Sequence, residues 1–212
     1  MFGIQFPQPA LNFPCTVLNR LFGVTYSGHA GRNVVLVMLS KRERERERRI
    51  VLSRQVFVKR TIIPAPAQAV YDWHVRPGAF EALTPPFERV TTTNGGLANG
   101  IGPGARVQLV IRPVAWLPLV LRWTCVHGEF VPGRQFVDEQ EPGQGPFDYW
   151  RHVHRFEPVD VHCCQYIDEI EYRLPMGQVG QLIGGPLVRA RLNRLFDWRH
   201  QRVLQVFAGP LP

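Results

Sequence analysis

The chain is expected to adopt an α+β fold, in which one curved antiparallel sheet of six to seven strands wraps around a single long C-terminal helix. Two short helices follow the first strand. Three observations predict this. Strand-like runs succeed one another through turns rich in Gly and Pro, and each connection is too short for a parallel crossover, which needs a dozen or more residues. Only the segment from about Pro186 to Phe207 carries a sustained helical stripe. A curved sheet also needs a cover for its apolar face, and this helix alone is long enough to supply it.

Gln55 to Ile63 reads as the first strand, ended by Pro64-Ala-Pro66. Ala67 to Val75 is a short helix with Val70, Tyr71 and His74 able to share a side. Pro77-Gly78 breaks it, and a second short helix from Ala79 to Leu83 is stopped by Pro85-Pro86. Strands are then expected at Phe87 to Thr93, Ala105 to Arg112, Val120 to Phe130, Arg134 to Glu141, Phe147 to Glu157 and Val161 to Leu174. Asn94-Gly95-Gly96 and Pro132-Gly133 mark turns between them. In the last helix Pro186 suits a first helical position, and Val188, Leu192, Leu195, Phe196, Val203 and Val206 form a stripe opposite Arg191, Arg194 and Gln201. At 1.5 Å per residue that helix is roughly 33 Å long. Gly184-Gly185 is expected to loosen or kink its approach.

Composition narrows the function. The net charge of +8 over 212 residues is uneven: residues 1–54 hold 9 Lys/Arg against 3 Glu, and the rest 16 against 14. The basic character therefore describes the leader, and no nucleic-acid partner is expected. Residues 1–53 end in an Arg/Glu tract, Lys41 to Arg49, with no apolar stripe. They are expected to be a disordered or poorly ordered basic leader, or a start assigned too far upstream with Met38 as an internal alternative. The ligand-binding domain is expected over 54–208. The apolar run Val34 to Leu39 is far shorter than the ~20 residues a membrane helix needs. Cys15, Cys125, Cys163 and Cys164 fall at no metal-ligand spacing. A reduced, cytoplasmic chain is the expectation.

The stretch Phe136 to Phe156 carries the chemistry. It reads as two strands joined by a Gly/Pro turn, with polar groups on an apolar face. Strand parity puts Trp150, His152, His154 and Phe156 on one side, and Phe136, Asp138 and Gln140 on the matching side of the partner strand. Buried polar groups without partners cost roughly 1–3 kcal/mol each, so these must pair with one another, with water or with a ligand. In the final strand the same parity turns Tyr166, Asp168 and Tyr172 inward. Two imidazoles two residues apart can share a metal with Asp138 or Asp168. The aromatic neighbours suit an organic guest instead, so no metal and no cofactor are expected. Gly100-Ile-Gly102-Pro-Gly104 is a turn, since Pro103 spoils a helix start and no helical pattern follows.

The layout, with Ile63-Pro-Ala-Pro66, Trp73-His74, Leu83-Thr-Pro-Pro86, the Phe136 to Phe156 stretch, Asp168-Glu-Ile-Glu-Tyr-Arg-Leu-Pro175 and Leu195-Phe-Asp-Trp-Arg-His200, resembles the START-like or SRPBCC superfamily. It looks most like the bacterial branch also found fused to epimerase-like reductase domains. The resemblance spans about Gln55 to Phe207 and implies a helix-grip fold with an apolar cavity for lipids, isoprenoids, sterols or polyketides. Some members act as aromatase/cyclases. Three roles fit. The first is a non-catalytic binder of a hydrophobic small molecule, contacting it through Trp150, His152, His154, Phe156, Phe136, Gln140, Tyr166, Tyr172, His74 and Trp73. The second is a polyketide cyclase/dehydratase with His152 or His154 as base and Asp138 or Asp168 orienting it. The third is a regulatory or scaffold partner of a separate reductase. The apolar tip Trp116 to Val120 is read as a cavity lip or as a transient membrane or reductase contact. The residues leave the oligomeric state open.

Overall fold

The computed structural model of the protein describes Arg42 and residues 54–93, 97, 99–113 and 118–209. The rest of the leader, the Asn94-Gly95-Gly96 turn and the Trp116 and Leu117 half of the apolar tip lie outside the described residues. All the strands and the three helices discussed below belong to one compact unit, Ser53–Pro212.

The elements run β1 (Gln55–Ile63), α1 (Ala67–Val75), α2 (Ala79–Ala82), β2 (Val90–Thr92), β3 (Arg106–Ile111), β4 (Leu121–Val131), β5 (Gln135–Gln140), β6 (Tyr149–Pro158), β7 (Cys164–Arg173) and α3 (Gly177–Ala208). The seven strands form one antiparallel sheet in the order β1-β7-β6-β5-β4-β3-β2. The meander thus returns its last strand to the side of the first, and α3 packs on the resulting face. The ring of Phe57 on β1 lies 5.4 Å from that of Phe196 on α3.

Three expected boundaries differ, each for a local reason. β2 begins at Val90 and not at Phe87, because the turn made by Pro85-Pro86 continues to Glu88, whose N–H donates to the Pro85 carbonyl at 2.9 Å. β7 begins at Cys164 and not at Val161, because the Asp160 carboxylate accepts the N–H groups of His162 and Cys163 at 2.7 and 2.8 Å and holds a turn there. The largest correction is α3, which starts at Gly177 and carries Pro186 inside it. At 32 residues it is about 48 Å long. Its first stretch is weakly covered: Leu182, Ile183 and Leu187 are exposed. The carbonyl that Pro186 leaves unpaired, that of Leu182, therefore sits on a residue open to water, and the helix survives the proline.

Two features shape the sheet. A register shift between Gly128 and Val131 bulges β4 against β5, with Glu129 at φ 49. The Glu129 carboxylate then accepts from Arg151 on β6 at 2.6 Å. The loop ahead of β3 folds back on α1: Ile101 N–H donates to the Val75 carbonyl at 2.9 Å. Gly100 beside it has φ +79, and a Cβ there would lie 2.3 Å from the Val75 oxygen, so only glycine fits this approach.

Apolar packing concentrates in two clusters. One joins Ile63, Val70, Tyr71, Phe136, Phe156 and Tyr166 to Val203 of α3. The other joins Phe57, Trp150, Ile170 and Tyr172 to Leu192 and Phe196. The buried face of α3 reads Leu192, Phe196, His200 and Val203, a spacing of about four residues with one imidazole in it. That imidazole falls where the two clusters meet.

Candidate functional site

Between the sheet and α3 lies a cavity of about 590 Å³. Its walls are largely apolar: Val107, Leu109 and Ile111 alternate along β3, and Leu121, Trp123 and Cys125 along β4. Leu192, Leu195 and Phe196 of α3 close the opposite side. Leu119 and Leu187 line it yet are 46% and 75% exposed, which marks where it opens. The described part of the expected apolar tip is therefore a lip of the cavity.

A buried polar cluster interrupts this wall, which Arg76, Glu88, His127, Arg191 and Arg199 also line. Register pairs Asp138 with His152 and Phe136 with His154, and on the other side His152 with Ile170 and His154 with Asp168. Strand parity then brings both imidazoles between two carboxylates. Nδ1 of His152 lies 3.0 Å from Asp138 Oδ2, and its Nε2 lies 2.8 Å from Asp168 Oδ1. Nε2 of His154 lies 3.3 Å from the same Asp138 oxygen, and its Nδ1 is 2.9 Å from Asp168 Oδ1 in a poorly aligned contact. The indole N–H of Trp150 donates to Asp138 Oδ1 at 3.3 Å. Behind the cluster Asp168, fully buried, takes His200 Nε2 on its second oxygen at 2.9 Å, while His200 Nδ1 meets Thr61 Oγ1 at 2.8 Å.

This arrangement sets the charges. Burial opposes a charge on His152, but Asp138 and then Asp168 outweigh it and raise its pKa to about 9. Burial likewise works against Asp138 and Asp168, yet the facing imidazoles hold both carboxyls well below the usual range. The two carboxylates therefore favour the protonated ring of His152, which suits a proton donor. His74 behaves oppositely. Its Nδ1–H donates to the Val70 carbonyl at 2.7 Å, which leaves Nε2 as a bare lone pair with no hydrogen-bond partner among the described residues. Burial pushes its pKa down to about 3.

Of the residues expected at the ligand, Trp150, His152, His154, Phe136 and His74 line the cavity, and so does Asp138. The others stand behind its wall. Phe156 and Tyr166 stack on each other at 5.5 Å, and Tyr166 stacks on His200 at 4.4 Å. Tyr172 packs against Phe147 and Trp150. Gln140 is bound to the loop between β5 and β6, its amide donating to the Phe147 carbonyl at 2.6 Å and accepting the Phe147 N–H at 3.2 Å. Trp73 turns away to Phe207 and lies under Arg76. Sequence reasoning missed His200, although a histidine four residues after Phe196 on an apolar stripe is the signal that marks it. It also missed Arg191, placed on the wet side of α3, which lines the cavity and pairs with Glu88.

No family model and no curated protein matches the sequence. Solved structures do match. The chain is similar to norcoclaurine synthase from Thalictrum flavum at 13% identity and TM-score 0.55, over 88% of this chain and 98% of that one. It is similar to the ZhuI aromatase/cyclase from Streptomyces sp. R1128 at 15% identity and TM-score 0.54, over 73% and 94%. A nucleoside-diphosphate sugar epimerase from Corynebacterium glutamicum matches at 25% identity and TM-score 0.49, over 70% of this chain and 28% of that one. With its seven-stranded antiparallel sheet, two short helices after β1 and one long helix laid across the sheet, the chain has a helix-grip fold, the fold it shares with the synthase and the aromatase/cyclase.

Proposed function

We propose that this protein binds a hydrophobic small molecule, a lipid, isoprenoid or polyketide-like compound, between the sheet and α3. The observation that carries this reading is the cavity itself, whose 590 Å³ falls within the roughly 300–1,000 Å³ of small-molecule sites. Its largely apolar walls and buried polar cluster match a guest with a greasy body and a polar end, which would rest against Asp138, His152 and His154, with the Arg191–Glu88 pair as a further polar feature of the wall. Among the described residues no helix is long and apolar enough to cross a membrane.

The test is binding of a neutral apolar fluorophore such as N-phenyl-1-naphthylamine, with native mass spectrometry for a co-purified guest. Leu109 faces the cavity from β3, so Leu109→Trp fills the space without touching the polar cluster. The variant is expected to weaken probe binding by about 10-fold or more, roughly 1.4 kcal/mol, while keeping the circular dichroism of the parent. Unchanged affinity, or no saturable binding by the parent, rejects the reading.

A second reading, acid–base catalysis of the cyclase/dehydratase type, is favoured by one observation. His152 and His74 line the same cavity with pKa values pushed apart, to about 9 and about 3, so one offers a proton and the other a lone pair. A cyclising poly-β-ketone thioester followed by absorbance tests it. His74→Gln is expected to lower turnover by about 10²-fold or more with probe binding retained. Equal turnover removes His74 from the chemistry.

A further inference from the structure

We propose that Asp138, His152 and His154 form a mononuclear centre for a divalent first-row transition ion on the cavity wall. The three side chains are buried and offer one ligand atom each, and these atoms all lie within 4.8 Å of one another. Asp138 Oδ2 is 3.0 Å from His152 Nδ1 and 3.3 Å from His154 Nε2. Ligand atoms held about 2.0–2.1 Å from one ion are separated by roughly 2.8–3.0 Å along an octahedral edge and roughly 3.3–3.4 Å along a tetrahedral one, so these two contacts fall within coordination spacing. Two imidazoles and one carboxylate are a donor set for zinc or ferrous ions, with the remaining positions open to the cavity.

The support behind these atoms is what separates the cluster from an ordinary buried ion pair. A ligating histidine normally has its other ring nitrogen fixed by a carboxylate or carbonyl, which orients the ring and raises its basicity. Here one buried oxygen, Asp168 Oδ1, stands against the rear nitrogen of both rings, at 2.8 Å from His152 Nε2 and 2.9 Å from His154 Nδ1. Asp168 is in turn fixed by His200, and Asp138 has its free oxygen held by the Trp150 indole. His152 and Asp138 are thus held from behind by hydrogen bonds, whereas the rear nitrogen of His154 lies near Asp168 without an aligned hydrogen bond, and the three front atoms stay within 4.8 Å of one another. In the metal-free protein these atoms share protons, which an ion displaces. The sequence already offered this donor set and the aromatic neighbours argued against it; what the structure adds is the cross-strand register that brings the carboxylate from β5, 14 residues before His152, to the imidazole pair.

This inference deepens the ligand-binding reading, since such an ion would engage an oxygen at the polar end of the guest, but its test does not use the guest. The full chain is stripped with chelator and titrated with Co²⁺ alone at pH 8. Expected are one equivalent of Co²⁺ per chain, a visible ligand-field spectrum, and tryptophan quenching that Trp150→Phe reduces. Asp138→Asn and His154→Gln are each expected to weaken Co²⁺ binding by about 100-fold or more. Absence of saturable binding by the parent overturns the proposal, with no variant needed. So does parent-like affinity in both variants. A protein that binds the fluorophore and no cobalt loses only the metal centre, and one that binds cobalt and no fluorophore loses only the apolar-ligand reading.

Discussion

Asp168→Asn is expected to destabilise the metal-free protein by about 3–5 kcal/mol at pH 7, seen as a lower urea midpoint with an unchanged slope. Asp168 is fully buried and meets three imidazoles, those of His152, His154 and His200. It also raises the pKa of the buried Tyr166 phenol, after burial itself, through its charge and a hydrogen bond. An asparagine keeps the shape but removes the charge that helps hold His152 as an imidazolium. Its amide also presents a donor to rings that donate already. The remaining partner, Asp138, must then neutralise His152 alone in a dry environment, and breaking one side of a buried ion pair carries the quoted cost. The exposed pair of Lys59 with Asp197 is the control, because Asp197→Asn should cost under about 1 kcal/mol. A loss below 1 kcal/mol for Asp168→Asn would show that the cluster is not electrostatically coupled.

The alternation along Phe136 to Gln140 and Trp150 to Phe156 was legible, because a strand period of two assigns each residue to a face without tertiary information. Register then placed Asp138 opposite His152, as the hairpin required. Depth along a face was not legible. Parity turns Phe156, Tyr166 and Tyr172 inward correctly, but they pack in the core clusters, while the space opens beside β3, β4 and the α1–α2 corner. No pattern within one strand reports which part of a sheet its covering helix touches. The helix start failed for a related reason. Pro186 is a good first-turn residue by local rules, yet a proline is also tolerated mid-helix where the carbonyl it orphans is on an exposed residue, and exposure is a tertiary property. His200 shows the reverse case, since the same 3.6-residue period that marked Phe196 and Val203 also covered it.

The metal-free protein should also lose stability as pH falls from 6.5 towards 4, and His74 should be a main cause. Its pKa is 6.5 in the unfolded chain and about 3 when folded. Between these values the unfolded state binds a proton that the native state refuses, so stability declines on acidification through this window. At pH 4.5 the two-unit gap from 6.5 is worth roughly 2–3 kcal/mol. Burial dominates the shift of His74; the hydrogen bond to the Val70 carbonyl and the charge of Asp168 on β7 oppose it, and His154 on β6 and His200 on α3 add to it. The other cluster members titrate elsewhere. His152, raised to about 9, contributes stability that is complete below 6.5 and is lost as pH rises through 9. Asp138 and Asp168, held low, contribute above 3.8 and lose that contribution only in stronger acid. His127, also lowered by burial, adds to the same acid limb. His74→Phe keeps an aromatic ring against Phe156 and Tyr166 and removes the titrating group. Urea unfolding in chelator at pH 7 and 4.5 should therefore show a stability difference about 2–3 kcal/mol smaller in the variant than in the parent. An equal difference in both would mean that His74 is protonated as readily in the folded chain as in the unfolded one, and that its buried, unpartnered lone pair is not what the cavity presents to a guest.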